Sequence, residues 1–222
     1  MFPLYDTARS HKFPLINLIL IGVNAYAFFL EYRMTPAELE GFIFANGLIP
    51  AQFLADMNGE WRTIFSSMFL HGGWFHILSN MWVLFIFGDN VEARMGGIRY
   101  LVFYLLSGVA AALLQTYILP TSTVPMIGAS GAVAGVLGAY LILFPNSRIA
   151  SLVPIFFIFT LVEIPAFIFL IFWFISQLYS GLFALQGSAG GVAWWAHVGG
   201  FVFGLFIASF FRQRRTEYSY YR

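Results

Sequence analysis

Six long apolar stretches take up most of this 222-residue chain, and they leave few folds open to it. A membrane-spanning helix needs about 20 apolar residues, with a range of roughly 17–25. Phe13–Leu30, Trp74–Val91, Ile98–Leu119, Ile164–Leu185 and Val192–Phe211 meet that need. Ser130–Phe144 is shorter and follows a loop rich in Pro, Thr and Ser. Ile149–Val162 is apolar as well, but Pro154 interrupts it and Glu163 and Pro165 end it, so it reads as an interfacial or re-entrant piece. Charged residues make up 9 % of the chain, against roughly 25 % in soluble globular proteins. So little charge cannot cover a water-facing surface. An ordinary cytosolic domain, a disordered chain and a nucleic-acid binder are thereby excluded, and a lipid bilayer is the expected solvent and partner. The absence of cysteine excludes disulfides, thiolate catalysis and cysteine-ligated zinc. The N-terminal MFPLYDTARSHK lacks an A-x-A-like cleavage site, so the first span is expected to be retained.

Charge placement orients the spans. With six spans both termini share one side, which then collects Arg9, Lys12, Arg94, Arg99, Arg148, Arg212, Arg214, Arg215 and Arg222; the other side has only Arg33 and Arg62. Cytoplasmic loops carry the excess of Lys and Arg. The expected organisation is therefore a cytoplasmic tail 1–12, a six-helix domain 13–211 and a cytoplasmic tail 212–222. Segment 31–73, with its acids among aromatic and aliphatic residues, becomes an external loop. It fits an amphipathic segment lying in the interface, a structured flank for a site opening outward, or both.

Polar residues inside spans are costly and mark candidate sites. Spans two, four and six run in the same direction, and each has polar residues near its outer end: His76 and Asn80, Ser130, and His197. From Ser130 to Pro145 is about 15 residues or roughly 22 Å of helix, in a hydrocarbon core about 30 Å thick. Ser130 then lies roughly 8 Å below the outer boundary and His197 roughly 9 Å below it. His76 and Asn80 share a helix face at i, i+4. Gly131, Gly135 and Gly138 follow Ser130, and Gly200 and Gly204 follow His197. Such small-residue faces let membrane helices approach closely, which would bring Ser130 and His197 within hydrogen-bond reach, as a nucleophile and its base require. Gly128 and Gly131 flank Ser130 and permit a tight entry into the helix. The helix N-terminus, with the His76 and Asn80 side chains, would stabilise an oxyanion. Taken one at a time, a serine between glycines, a lone histidine and a lone asparagine each also fit helix–helix packing. His71 fits an interface anchor equally well, and His11 reads as an interface residue.

These residues resemble the rhomboid family of intramembrane serine proteases. The likeness rests on Trp61-Arg62, HGGWFHILSN (His71–Asn80), Gly88, VEARMGG (Val91–Gly97), GASG (Gly128–Gly131) and AHVGGFVFG (Ala196–Gly204), in that order. It implies a membrane protein of the all-α class, a rhomboid-like bundle of six transmembrane helices, that hydrolyses a peptide bond in or near a substrate's transmembrane segment. By the same likeness Ser130 is the nucleophile and His197 the general base, and His76 and Asn80 help to form the oxyanion hole. Trp61 and Arg62 belong to a structured external loop, and Glu92 and Arg94 to a structural motif at the inner end of span two. Span five, with its phenylalanines and Trp173, corresponds to the helix that moves for lateral substrate entry. In one departure, the position four residues after the nucleophile, a tyrosine in some members, is Ala134 here.

No acid is placed to complete a triad: Asp89, Glu92 and Glu163 fall near the inner ends of their spans. The expectation is a Ser-His dyad with no cofactor and no metal, acting on transmembrane protein substrates in a prokaryotic plasma membrane. The runner-up is a catalytically silent relative that binds transmembrane segments. A transporter needs a polar path to the inner side, where the spans show few polar residues. A metal site from His71, His76 and His197 lacks both a carboxylate and an H-E-x-x-H motif.

Overall fold

The computed structural model describes residues 2–8, 10, 12–155, 158–185 and 192–211. Arg9, His11, Arg212, Arg214, Arg215, Arg222 and the tail 212–222 lie outside the described residues.

Helix α1 spans Leu15–Tyr32. Four short helices follow: α2 (Pro36–Asn46), α3 (Pro50–Ala55), α4 (Met57–Glu60) and α5 (Thr63–Ser66), the last running into a 3-10 turn at Ser67–Phe69. The start of α2 is set locally. Pro36 fixes the first turn, while Thr35 and Glu38 exchange side-chain-to-backbone hydrogen bonds as a capping box. The chain then bends by 93° into α6 (Trp74–Met95). Next come α7 (Gly97–Ile118), α8 (Ser130–Leu143), α9 (Ala166–Ala184) and α10 (Trp194–Ser209). The segment read as an external loop is thus largely helical, with Leu48 and Phe53 packed on Ala112 of α7 as a small second core.

Helices α1, α7 and α9 are each long and apolar enough to cross a membrane, and α6 joins them if it and the bent α5 segment count as one span. Helices α8 and α10 are shorter, with 14 and 16 residues. Helix α8 is apolar on every face because neighbours enclose it: α6, α7, α9 and α10 all pack against it. The main core forms around it, with Phe87, Tyr100, Tyr104, Tyr140, Leu170 and Phe201 almost wholly buried.

The all-α expectation is corrected at one end of the bundle. Phe2–Asp6 (β1), Arg148–Ile155 (β2) and Ile158–Pro165 (β3) form an antiparallel sheet in the order β1-β2-β3. The apolar run read as interfacial or re-entrant is the β2–β3 hairpin, and span five begins at Ala166 instead of Ile164. Ile, Val, Thr and Phe along this run fit a pleated surface. Pro154 sits where it can be tolerated: among the described residues β1 pairs with β2 from Ile149 to Leu152, and Pro154 lies beyond that stretch, paired with β3.

Candidate functional site

Ser130 is the first residue of α8. The chain reaches it through Gly128, whose φ of +122° is open to glycine and strained for other residues. The Gly128 N–H donates to the Ser67 carbonyl at 2.8 Å, which ties this turn to the bend before α6. A side chain at Gly128 would start 2.6 Å from His76 Nε2 and 3.6 Å from Ser130 Oγ, so both groups line one small space.

His197 lies in the first turn of α10. Helices α8 and α10 run side by side with glycine at the crossing: a methyl on Gly200 would overlap the Gly131 carbonyl, and one on Gly204 would overlap the Gly135 carbonyl. That approach sets His197 Nε2 2.8 Å from Ser130 Oγ. The other ring nitrogen, Nδ1, is 2.8 Å from Gln177 Oε1 on α9. The Trp173 ring tilts at 32° to the imidazole, and Trp194 meets it edge-on at 89°, each with centroids 6.0 Å away. These two indoles flank the imidazole, whereas Ala134, four residues after Ser130, is fully buried in the core.

His76 Nδ1 accepts the Gly72 N–H at 3.3 Å. In the neutral ring Nε2 then carries the proton, and that nitrogen is the one facing Gly128. Asn80, one turn further along α6, is buried, and its Nδ2 has no acceptor among the described residues. His71, 1 % exposed, has a different task. Its N–H donates to the Glu31 carboxylate at 3.1 and 3.3 Å, and its Nδ1 to the Phe69 carbonyl at 3.2 Å. It anchors the bend to the end of α1, with its ring 5.0 Å from that of His76.

The remaining sequence candidates lie away from this cluster. Trp61 and Arg62 form the exposed turn between α4 and α5, where the Trp61 ring meets Phe65 edge-on and the Arg62 carbonyl accepts from Phe65 and Ser66. Glu92 caps α1 from the last turns of α6: Oε1 accepts the Ile16 N–H at 3.1 Å and Oε2 the Asn17 N–H at 2.8 Å. Arg94 places its guanidinium over the Phe144 ring at 5.9 Å. No group of three His, Asp or Glu converges at metal-binding distance among the described residues.

Two glutamines were missed in the sequence. Gln177 binds His197, and Gln115 Oε1 on α7 accepts the Ala196 N–H at 3.1 Å beside it. Both are polar residues inside spans, which is the signal that singled out His76, Asn80, Ser130 and His197. In Gln115 and Gln177 the same signal falls in spans three and five.

A hydroxyl bonded to an imidazole whose second nitrogen is also held can serve as a nucleophile with its base. A family model described as the Rhomboid domain matches residues 58–214. The chain is similar to YdcA of Bacillus subtilis (strain 168), with 36 % identity over 96 residues, 42 % of this chain and 48 % of YdcA. It is similar to the rhomboid protease AarA of Providencia stuartii, with 27 % identity over 140 residues, 57 % of this chain and 49 % of AarA. It is also similar to the "Inactive RHOMBOID-like protein 8" of Arabidopsis thaliana, with 34 % identity over 113 residues, 48 % of this chain and 31 % of that protein. The chain spans about half or less of the length of these curated relatives.

Proposed function

The chain belongs to the rhomboid family, an integral membrane family, and from that premise we propose that it is an intramembrane serine endopeptidase working through a Ser130–His197 dyad. The observation that carries this reading is the 2.8 Å approach of His197 Nε2 to Ser130 Oγ inside a bundle of apolar helices.

In this reading α1, α6, α7, α8, α9 and α10 are the six spans. Helices α8 and α10 need not match the full thickness of the bilayer, because protein surrounds α8 and water reaches the site from one side. Residues 13–211 form the catalytic bundle, segment 31–73 lies outside, and tails 1–12 and 212–222 face the cytoplasm, a placement that the arginine bias supports. The site then opens outward, and cleavage falls near the outer face.

Ser130 Oγ attacks the scissile carbonyl carbon as its proton passes to His197 Nε2. The oxyanion meets His76 Nε2–H, the unpaired Asn80 Nδ2 and the Ser130 N–H, which as a first-turn group has no helical acceptor. Collapse of the tetrahedral intermediate expels the amine, which takes the proton from His197. Water then attacks the acyl-enzyme by the same route. A substrate helix presents its carbonyl only where its own hydrogen bonds are loosened, so Gly, Ser or Pro near the scissile bond favours cleavage.

A second reading, a silent relative that binds transmembrane segments, follows from the inactive relative. Labelling with a fluorophosphonate in mild detergent, together with cleavage of a test transmembrane segment in liposomes, separates the two. Wild type is expected to label and cut, and Ser130→Ala and His197→Ala to do neither. If folded wild type does no more than Ser130→Ala in both assays, the silent reading replaces the protease.

A further inference from the structure

We propose that Gln177 is the positioning residue of His197: from α9 it accepts the Nδ1 proton and so holds the imidazole in the one tautomer whose Nε2 can take a proton from Ser130. Its catalytic half rests on the protease reading above; its structural half does not.

The amide can face His197 in only one way. Gln177 Nε2 lies 3.3 Å from the Trp173 carbonyl and 2.9 Å from Ser176 Oγ. A carbonyl only accepts, and the single Ser176 hydroxyl proton is already donated to that same Trp173 carbonyl. Both neighbours therefore need a donor, and the amide nitrogen must point to them. Oε1 is left to face His197, and it can only accept. The ring must then donate from Nδ1, which leaves the Nε2 lone pair for the Ser130 hydroxyl. With the opposite tautomer Nε2 would be a donor, and Ser130 could not lose its proton to it. Gln177 is 7 % exposed, so its amide is largely shielded from bulk water.

This task is usually given to a carboxylate, which also stabilises the imidazolium. An amide supplies the orientation alone. The arrangement also makes the base depend on a third helix: Ser130 sits on α8, His197 on α10 and the residue that fixes the ring on α9.

The test reads the tautomer directly. The chain is labelled with 13C,15N-histidine and reconstituted in liposomes, and solid-state NMR reports the protonated nitrogen of each ring. There are four histidines, and His197→Ala identifies the His197 signal by subtraction. Wild type is expected to show Nδ1–H at His197. Gln177→Leu removes the acceptor and leaves an apolar side chain one atom shorter; Nε2–H is expected to become a major form. Its kcat on a test transmembrane segment should fall at least about ten-fold with KM little changed. Gln177→Glu keeps an acceptor oxygen and is expected to retain Nδ1–H and recover much of kcat. If Gln177→Leu does not fold, Gln177→Met takes its place. Nε2–H in wild type, or Nδ1–H retained without the amide, overturns the assignment whatever the activity. If wild type cuts no better than Ser130→Ala, the protease reading fails, while the tautomer still decides the role of Gln177.

Discussion

The carbonyl of Gly131 occupies the place that a side chain on Gly200 would need. One turn further along, Gly204 meets Gly135 in the same way. The bond between Ser130 and His197 is therefore a product of backbone contact between α8 and α10. Gly200→Ala is expected to push the helices apart and slow fluorophosphonate labelling about a hundred-fold, the usual effect of a displacement near 1 Å at a reacting pair. Gly22→Ala on α1, where a methyl meets nothing within 4 Å, should label at the wild-type rate. Equal rates for the two variants would remove glycine contact as the cause.

Glu92 does for α1 what its own N-terminus cannot. Pro14, at the N-cap, makes no side-chain cap, and the carboxylate from α6 satisfies the N–H groups of Ile16 and Asn17 instead. A hydrogen bond to a charged group contributes about 1.5–3 kcal/mol. Glu92→Ala should cost about 3 kcal/mol in a detergent unfolding titration, with Glu92→Gln in between. An unshifted midpoint in Glu92→Ala would show that α1 is held by packing alone.

Strand β1 carries a pH dependence. Asp6 bonds to the Tyr140 hydroxyl and to Asn90 Nδ2. Burial pushes its carboxyl up to about 6, and the nearby Asp89 adds to this, against the lowering effect of its hydrogen bonds. An acid whose folded value is raised stabilises the fold fully below its ordinary value near 4, and that contribution is lost as pH rises through about 6. Hydrogen exchange of Ile149–Leu152, the β1 partners, should accelerate between about pH 4 and about pH 6 beyond the intrinsic rate. In Asp6→Asn the excess should vanish; an unchanged excess would place its source elsewhere.

The ring of Trp173 packs on both His197 and Phe201. Trp173→Ala should slow labelling about ten-fold through a loosened imidazole, whereas Trp173→Phe keeps a ring and most of the rate. Adding Ala134→Tyr to Trp173→Ala should not restore it. Position 134 has no exposed surface, and overpacking a core typically costs about 1–3 kcal/mol. Recovery in the double variant would mean that the core can open to admit the tyrosine.

What could be read in advance was what short spacings encode. Glycines at i and i+4 after Ser130 and after His197 state which faces meet, and the common depth of the two residues states how far along. Their approach in the structure follows from those two facts. The β2–β3 hairpin could not be read this way. An apolar run of that length carries no decisive period, and its pairing with β1 joins opposite ends of the chain. Gln177 was hidden for another reason. Its meeting with His197 depends on the rotation of α9 against α10, which no spacing within either helix reports. Glu92 was found as a motif residue, but its task needed α1 in place to be seen.

The polar groups gathered at Ser130 are a hydroxyl, imidazoles and amides, and no carboxylate bonds to His197 among the described residues. A carboxylate taken from water into a medium of dielectric about 4 meets an idealised Born penalty on the order of 20 kcal/mol. With an amide in that place, the helices can assemble in lipid with no ion to be sheltered beside His197. In the proposed reaction full charges arise only together, an oxyanion against an imidazolium, and they cancel when the intermediate collapses. The low-dielectric slab around the site then only has to hold a short-lived dipole, never a lone ion.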